Sequence, residues 1–259
     1  MTVALSGGPS AIAGAVLITG DPSDVVPFYE GLFGWDVGSA AAGVTTFTRA
    51  GVAEALAVST ATEVAGWLPI IQVADLSRVQ EAVRASAGAV RTITEGMTLL
   101  EDPLGARCLV VEPGDSVLSD LRSYDPDQSE VGALSWCQLN SREAHRSAEF
   151  YDAVFGWTLG PSDNDKFTYW RFYNGQPLAH AGLMAVDERS GTEVPGIWQI
   201  YFHGDDQGAM AHRLGELAGS VLVQPTEIVS GSFLVASDPC GHLFGIDHMT
   251  HGPVGGVPR

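Results

Sequence analysis

Basic residues are scarce in this chain of 259 residues. Lys and Arg together number 13 against 31 Asp and Glu, which gives a formal net charge of −18. Such a surface repels phosphate backbones and anionic lipids, so we expect neither nucleic acid nor membrane partners. No apolar run reaches the length of a membrane span. The mildly apolar start, MTVALSGGPSAIAGAVLITG, lacks the basic segment that opens a secretory signal.

Cysteine is equally scarce. Cys108, Cys137 and Cys240 are odd in number and form no CxxC pair, so the sequence indicates neither a disulfide framework nor a zinc knuckle. We therefore expect a reduced, cytoplasmic protein. The chain also lacks GxGxxG, GxxxxGK[ST] and GxSxG, which leaves nucleotide binding and a serine nucleophile without support.

What the chain does contain is a repeat. FYEGLFGWDVG at 28–38 and FYDAVFGWTLG at 150–160 are identical at six of eleven positions. A strand-like segment precedes each copy, and Asp21 or Ser141 offers a helix N-cap. Gly34 and Gly156 are suited to the left-handed conformation that ends a helix. The repeat therefore predicts a strand followed by a helix, twice, at equivalent places in the two halves.

The correspondence continues downstream of each copy. Both halves show two short strands around a Gly-containing turn, then a strand with an acidic turn and an Ala-rich helix, and finally a DPxG turn entering a strand. Each half thus reads β-α-β-β-β twice. We expect an N-terminal domain at 11–113, a C-terminal domain at 132–250, and a linker at 114–131 that is rich in turn formers.

These motifs, in this order, resemble the glyoxalase/bleomycin-resistance/extradiol dioxygenase superfamily, also called vicinal oxygen chelate. The likeness runs from about residue 11 to 249 and is greatest to a two-domain actinobacterial glyoxalase-like subset. It implies an α+β fold with two tandem glyoxalase-like domains, each built from two βαβββ modules that form a cup-shaped eight-stranded sheet. Metal enzymes of the superfamily hold a divalent ion inside the cup. The positions that match their ligands are Gly14, Leu68, Leu109, Trp136, Gln199 and Gly245.

Only Gln199 in that set can coordinate a metal, whereas tight binding needs at least three ligands. All seven histidines lie in the second half of the chain, so the first cup has none. We therefore predict that the protein carries no stoichiometric divalent ion and no cofactor. His248 and His251, in HMTH, have a spacing seen in metal sites, but we interpret them as part of a Gly-rich tail.

Strand alternation predicts what each cup presents if the old ligand positions face inward. The first cup then has a mostly aliphatic floor: Gly14, Val16, Ile18, Leu68, Ile70, Gln72, Arg107 and Leu109. The second combines aromatic and hydrogen-bonding groups: Trp136, Gln138, Asn140, Gln199, Tyr201, His203 and Asp247, with Tyr169, Arg171 and His180 nearby. Apolar walls with a few placed polar groups are typical of small-molecule pockets. The alternative is that these polar groups satisfy one another in a wet core.

Two classes of function remain open. The first is a metal-independent binder of an aromatic polyketide or similar antibiotic, acting in secondary metabolism or self-resistance. The second is an enzyme acting on such a metabolite: a hydroxylase or oxygenase, a lyase, or a cofactor-free catalyst. In that case His203 and Asp247 are the candidate acid/base pair, and the remaining second-cup residues bind the ligand. Either way the expected partner is a small aromatic molecule, and a homodimer is left open.

Overall fold

The fold consists of two eight-stranded mixed sheets, one from each half of the chain. A computed structural model describes residues 10–41, 43–60, 64–94, 97–115, 121–122, 124–125, 130–161, 167–186 and 196–249. The predicted α+β class with two tandem eight-stranded sheets is confirmed. Across those ranges, no helix has the length and apolar character that a membrane crossing requires.

The first sheet is accompanied by two helices and a short 3-10 turn at Pro22–Asp24. Its strands are Ala11–Thr19 (β1), Asp36–Ala41 (β2), Val44–Arg49 (β3), Val52–Ser59 (β4), Gly66–Gln72 (β5), Ala89–Thr94 (β6), Met97–Glu101 (β7) and Arg107–Val111 (β8). The helices are Val26–Phe33 (α1) and Leu76–Ala85 (α2). The strand order is β2-β3-β4-β1-β5-β8-β7-β6.

The second sheet repeats this plan. Its strands are Leu134–Ser141 (β9), Thr158–Pro161 (β10), Tyr169–Tyr173 (β11), Ala181–Ala185 (β12), Ile197–His203 (β13), Ser220–Ile228 (β14), Gly231–Ser237 (β15) and Leu243–Met249 (β16). The helices are Ala144–Phe155 (α3) and Gln207–Glu216 (α4). The strand order is β10-β11-β12-β9-β13-β16-β15-β14, so each strand has the same position in its sheet as its counterpart in the first half. In both, the two modules join through one central antiparallel pair, β1 with β5 and β9 with β13.

The repeated glycines end the helices as predicted. Gly34 and Gly156 follow α1 and α3 with φ of 67° and 71°, and their amides bond to carbonyls of the last turn. The predicted N-caps act slightly upstream. Asp21 caps the short 3-10 turn by accepting from Ser23, and the Ser141 hydroxyl accepts from the amide of Glu143, just before α3.

The aromatic residues of the repeat make the same buried contacts in both halves. Tyr29 stacks on Trp35 at 5.5 Å between ring centroids, and its hydroxyl accepts a hydrogen bond of 2.7 Å from Trp67 Nε1. The second half builds the same triplet from three aromatic residues of its own. These are Tyr151, Trp157 and Trp198, with a stacking distance of 5.8 Å and a hydrogen bond of 2.9 Å. The repeat therefore encodes a buried Tyr hydroxyl that satisfies the one N–H of a buried Trp.

These aromatic clusters meet in one core that both halves share. Phe33 on α1 lies 5.4 Å from Phe202 on β13, and Phe28 lies 6.0 Å from Phe244 on β16, measured between ring centroids. The helix-bearing faces of the two sheets thus pack toward each other. We call the opposite face of each sheet its cup, and the two cups are the surfaces on which a site can be built.

Candidate functional site

The first cup is aliphatic, as predicted. Val16 and Ile18 on β1 cluster with residues of β5 and β8, and the cluster is separate from the shared core. Its members are Val16, Ile18, Leu56, Val58, Val64, Leu68, Ile70, Met97, Leu99, Leu109 and Val111. Such a surface offers a ligand apolar area but no group that would fix its orientation.

The chain itself covers part of this cup. Leu121 pairs with Ala53 in an isolated bridge, and its side chain lies over Gly14, where an added Cβ would stand 3.1 Å from Leu121 Cδ1. The next residue, Arg122, donates from its amide to the Ala53 carbonyl at 2.8 Å. Leu121 packs against the aliphatic cluster, so the chain itself fills part of the first cup.

An ion network anchors this cover. The Glu54 carboxylate is buried and lies 3.0 Å from Arg122 Nη2 and 3.6 Å from Arg49 Nε. Glu130 bridges the same two guanidinium groups from outside, at 2.9 and 2.6 Å. Burial raises the pKa of Glu54, and the Arg122 charge opposes that rise. Glu54 is therefore committed to holding Leu121 and Arg122 against the sheet.

The second cup contains a cluster of aromatic side chains. Trp136 on β9 donates from Nε1 to the Tyr169 hydroxyl at 2.7 Å. Tyr201 on β13 lies across Gly245, where a Cβ would overlap its ring, and the hydroxyl end of Tyr169 lies against Gly182, where a Cβ would overlap it. The two glycines thus leave space for the two tyrosine side chains close to the sheet. Phe233 on β15 extends the cluster, with its ring 6.2 Å from that of Tyr201.

A row of polar residues crosses this sheet beside the aromatic groups. The strand register aligns Gln199 with Gln138, Gln138 with Gly182, and Gly182 with Arg171. Gln138 Nε2 donates to Asn140 Oδ1 at 2.7 Å. Gln199 is buried, and its Nε2 has no hydrogen-bond partner among the described residues. A buried amide donor without a partner costs free energy, so a ligand oxygen placed there would be stabilised.

Asp247 is the most deeply buried charged group of this cup. Its side chain has no exposed surface, and neither carboxylate oxygen accepts a hydrogen bond from the described part of the chain. The nearby Ser135 hydroxyl donates instead to the Tyr201 carbonyl at 3.0 Å. Burial raises the pKa of Asp247 to about 7, against a smaller opposing effect of Ser135. The group can therefore donate or accept a hydrogen bond near neutral pH.

His203 and Asp247 face each other in register, but the imidazole contacts other groups. Their backbones pair between β13 and β16. His203 Nε2 lies 3.4 Å from Asp205 Oδ1, and its ring is 5.4 Å from that of His248. Burial lowers the pKa of His203, opposed by its hydrogen bond to Asp205. The acid/base pairing of His203 with Asp247 stays a hypothesis.

His180 stands apart from the group in the second cup. It precedes β12 and packs edge-on against Trp157 with ring centroids 4.3 Å apart, in contact with the shared core. Neither ring nitrogen has a partner among the residues that the structure describes, and burial lowers its pKa to about 3. His180 is therefore a neutral, packed side chain. The other predicted ligand-binding residues lie on β9, β11 and β13 of one sheet.

Several contributors to the site carry no sequence signal of their own. Gly182 and Gly245 have no Cβ, and this leaves space for the side chains of Tyr169 and Tyr201. Tyr124 reaches the site from the segment between the halves, and its hydroxyl donates to the Ser135 carbonyl at 3.3 Å. Burial raises the pKa of Tyr124, Tyr169 and Tyr201, so their hydroxyls remain protonated donors.

The superfamily's metal does not fit at the positions that the resemblance identifies. In the second cup the Tyr201 ring occupies the space above Gly245, and Trp136 donates its indole N–H to Tyr169. In the first cup Leu121 lies over Gly14, among aliphatic neighbours. Gln199 alone cannot hold an ion, so no chemical step in either cup is derived through such a metal.

Comparison with known families finds a match for the second half of the chain. Residues 133–246 match the sequence model of the Glyoxalase/Bleomycin resistance protein/Dioxygenase superfamily. The likeness that the motifs predicted is thus found in the second half of the chain. The first half carries the same strand order in its own sheet.

Two kinds of sequence relative stand out. CFP32 of Mycobacterium tuberculosis (strain CDC 1551 / Oshkosh), whose name describes a candidate glyoxylase, is 28% identical over 248 residues, covering 89% of this chain and 91% of its own. The anthracycline biosynthesis protein DnrV of Streptomyces peucetius is 31% identical over 142 residues. That second alignment spans about half of each protein, 49% of this chain and 52% of DnrV.

Solved structures agree on the fold at much lower identity. The Mn(II)-bound glyoxalase from Novosphingobium aromaticivorans is 14% identical with a TM-score of 0.64, over 93% of this chain and 82% of that one. The 2,3-dioxygenase LapB from Pseudomonas sp. KL28 is 14% identical with a TM-score of 0.63, over 95% of both chains. At such identities the likeness shows the arrangement of strands and helices, and the site must be argued from its own residues.

Proposed function

We propose that this protein binds a planar aromatic small molecule, of the aromatic polyketide type, in its second cup and without a metal at the superfamily's positions. The observation that carries the proposal is the cluster of Trp136, Tyr169 and Tyr201 on one face of the sheet, close to Gly182 and Gly245. Aromatic rings stack best in offset or edge-on geometry, and a broad fused ring system can make such contacts with this cluster.

The polar groups beside that cluster suit the oxygens of such a ligand. Gln199 has an unused amide donor, and the carboxyl group of Asp247 is buried without a partner among the described residues. A phenol hydroxyl can donate or accept a hydrogen bond, and a quinone oxygen can accept one from an amide N–H, a protonated carboxyl or a tyrosine hydroxyl. The names of DnrV and of its counterpart DauV from Streptomyces sp. (strain C5), both anthracycline biosynthesis proteins, support the same chemical class.

Titration calorimetry with a hydroxyanthraquinone such as alizarin tests this proposal. Trp136→Ala removes the stacking face and should weaken binding by about 1–3 kcal/mol, roughly 5- to 150-fold. Trp170→Ala is the matched control, because Trp170 is the neighbour of Tyr169 on β11 but packs against His145 and the shared core. Equal affinities of the Trp136 variant and the parent would refute the placement in the second cup.

An enzyme acting on the same ligand is the second candidate, and the buried, unpartnered carboxyl group of Asp247 favours it. A group of this kind next to a bound phenol could move a proton. Asp247→Asn keeps the shape and a donor but cannot accept that proton. Turnover of a bound polyketide by the parent that the Asn variant loses, at unchanged affinity, would favour the enzyme; binding without turnover in both would favour the binder.

A further inference from the structure

The end of the second sheet brings together three side chains that metals bind. His203 is the last residue of β13, Asp205 follows it after one glycine, and His248 lies on β16, the parallel neighbour of β13. Each offers one ligand atom, and the three atoms lie within 4.8 Å of one another. None of the three is at a position where the superfamily holds its ion, since those positions here are Trp136, Gln199 and Gly245.

Contacts within the protein leave this cluster incompletely satisfied. His248 Nδ1 is buried and has no hydrogen-bond partner in the described ranges, and the His203 side chain is only 4% exposed. Within the described part of the chain, the His203 ring makes a polar contact with Asp205, at 3.4 Å from Nε2 to Oδ1. Buried imidazole nitrogens without partners cost free energy, which a cation between them would recover.

We propose that His203, Asp205 and His248 form a binding site for a divalent transition-metal ion of the Zn²⁺ type. Two imidazoles and a carboxylate suit Zn²⁺, Co²⁺ or Ni²⁺ rather than Mg²⁺ or Ca²⁺. Ligand atoms about 2.0–2.2 Å from a tetrahedral ion are about 3.3 Å apart, which the 3.4 Å between His203 and Asp205 already matches. The three ligand atoms lie within 4.8 Å of one another, so the proposal requires His248 to move to the same spacing when an ion binds.

The surroundings favour a cation and leave room for a fourth ligand. Asp205 is 72% exposed, so water reaches the open coordination position. The chain's net charge of −18 raises the local concentration of cations. His248 was expected in a tail, but it lies in β16, and this is what places its ring next to β13. The sequence analysis predicted no stoichiometric divalent ion in the protein, and this proposal departs from that prediction because it rests on three residues that the fold brings together.

The site would link β13 to β16 next to the second cup. Binding to the folded chain alone stabilises it by mass action, so the melting temperature should rise with metal concentration. A tetrahedral site with nitrogen and oxygen ligands also gives Co²⁺ a distinctive visible absorption. Both readouts are independent of any activity and of the proposed ligand.

The test uses full-length protein without a histidine tag, stripped by chelator and dialysed. Zn²⁺ and Co²⁺ are titrated by calorimetry, visible absorption and thermal melting. We expect one equivalent to bind, and His203→Gln and His248→Gln each to weaken binding at least 10-fold while melting like the parent without metal. His212→Gln is the matched control, because His212 is exposed and pairs with Glu216 on α4 much as His203 pairs with Asp205.

Two results would overturn the proposal. One is the absence of stoichiometric Zn²⁺ or Co²⁺ binding by the parent. The other is binding that survives both Gln substitutions or that His251→Ala alone abolishes, since the metal would then sit in the tail beyond the described residues. Either result leaves the ligand site of the second cup untouched, because calorimetry with alizarin reports on that site separately.

Discussion

A buried neutral histidine should make the stability of this protein depend on pH in a predictable direction. His180 packs on Trp157, and burial lowers its pKa to about 3, whereas an unfolded chain has a His pKa of about 6.5. Above pH 6.5 the imidazole is neutral in both states and contributes no pH dependence. Below pH 6.5 the unfolded state takes up a proton that the folded state refuses, so stability falls as the pH falls.

The size of the effect follows from the two pKa values. A pH of 5 is about 1.5 pH units below the His pKa of the unfolded state. Protonation of His180 in the unfolded state alone then lowers the free energy of unfolding by about 2 kcal/mol. The full penalty of about 4.8 kcal/mol would develop only near pH 3. Two kcal/mol is a large share of the stability of a typical domain, so the shift is measurable.

Urea denaturation of the parent and of His180→Leu at pH 7.5 and pH 5 isolates the contribution of His180 to the free energy of unfolding. All other titrating groups are common to both proteins, so the parent should lose about 2 kcal/mol more than the variant. His212→Leu, at an exposed position on α4, should behave like the parent. An equal loss in the parent and in the His180 variant would refute the reasoning, because His180 would then be protonated in the folded state or hydrated.

Three substitutions test the packing of the cups and of the core by urea denaturation. Gly245→Ala places a Cβ against the Tyr201 ring, which should cost about 1–3 kcal/mol and weaken alizarin binding; unchanged values would mean that the ring does not lie there. Leu121→Ala removes the cover of the first cup and should cost about 1–2 kcal/mol with alizarin affinity unchanged; a changed affinity would move the ligand to that cup. Tyr151→Phe leaves Trp198 Nε1 without its acceptor and should cost about 1–3 kcal/mol; no loss would mean that water replaces the hydroxyl.

Local signals in the sequence predicted the repeat and the order of strands and helices, whereas the two eight-stranded sheets were predicted from the resemblance to the superfamily. Gly34 and Gly156 end their helices because only a residue without Cβ takes a left-handed φ at no cost, and this requirement is visible in the letters. Alternation on β1 and β5 likewise assigned Val16 and Ile70 to one face, because period two holds along a regular strand. Repeats and alternation are local properties, so one sequence is sufficient to read them.

The candidate site was harder to predict because its key contacts are not local. The ladder between β9 and β13 shifts register near Tyr201, and His203 just beyond that shift contacts Asp205 and His248. Leu121 reaches Gly14 across more than a hundred residues, and no spacing rule predicts such a contact. The positions that the resemblance matched to metal ligands all lie on strands. The resemblance did not predict which other side chains would occupy the space around those positions.

The two halves share what the core requires and differ in what the cups do. Each keeps the tyrosine that accepts from a buried tryptophan, because Trp67 and Trp198 would otherwise bury an unsatisfied N–H. This hydrogen-bond requirement does not extend to the cup side, where the equivalent positions are Leu68 in the first half and Gln199 in the second. A buried amide with a free donor is costly unless something binds it, whereas a leucine under Leu121 needs nothing further. Gln199 Nε2 and the Asp247 carboxylate are buried without a partner among the described residues, and this supports the proposal that the ligand binds in the second cup. In the first cup Glu54 Oε2 also lacks a partner there, but the same carboxylate pairs with Arg122.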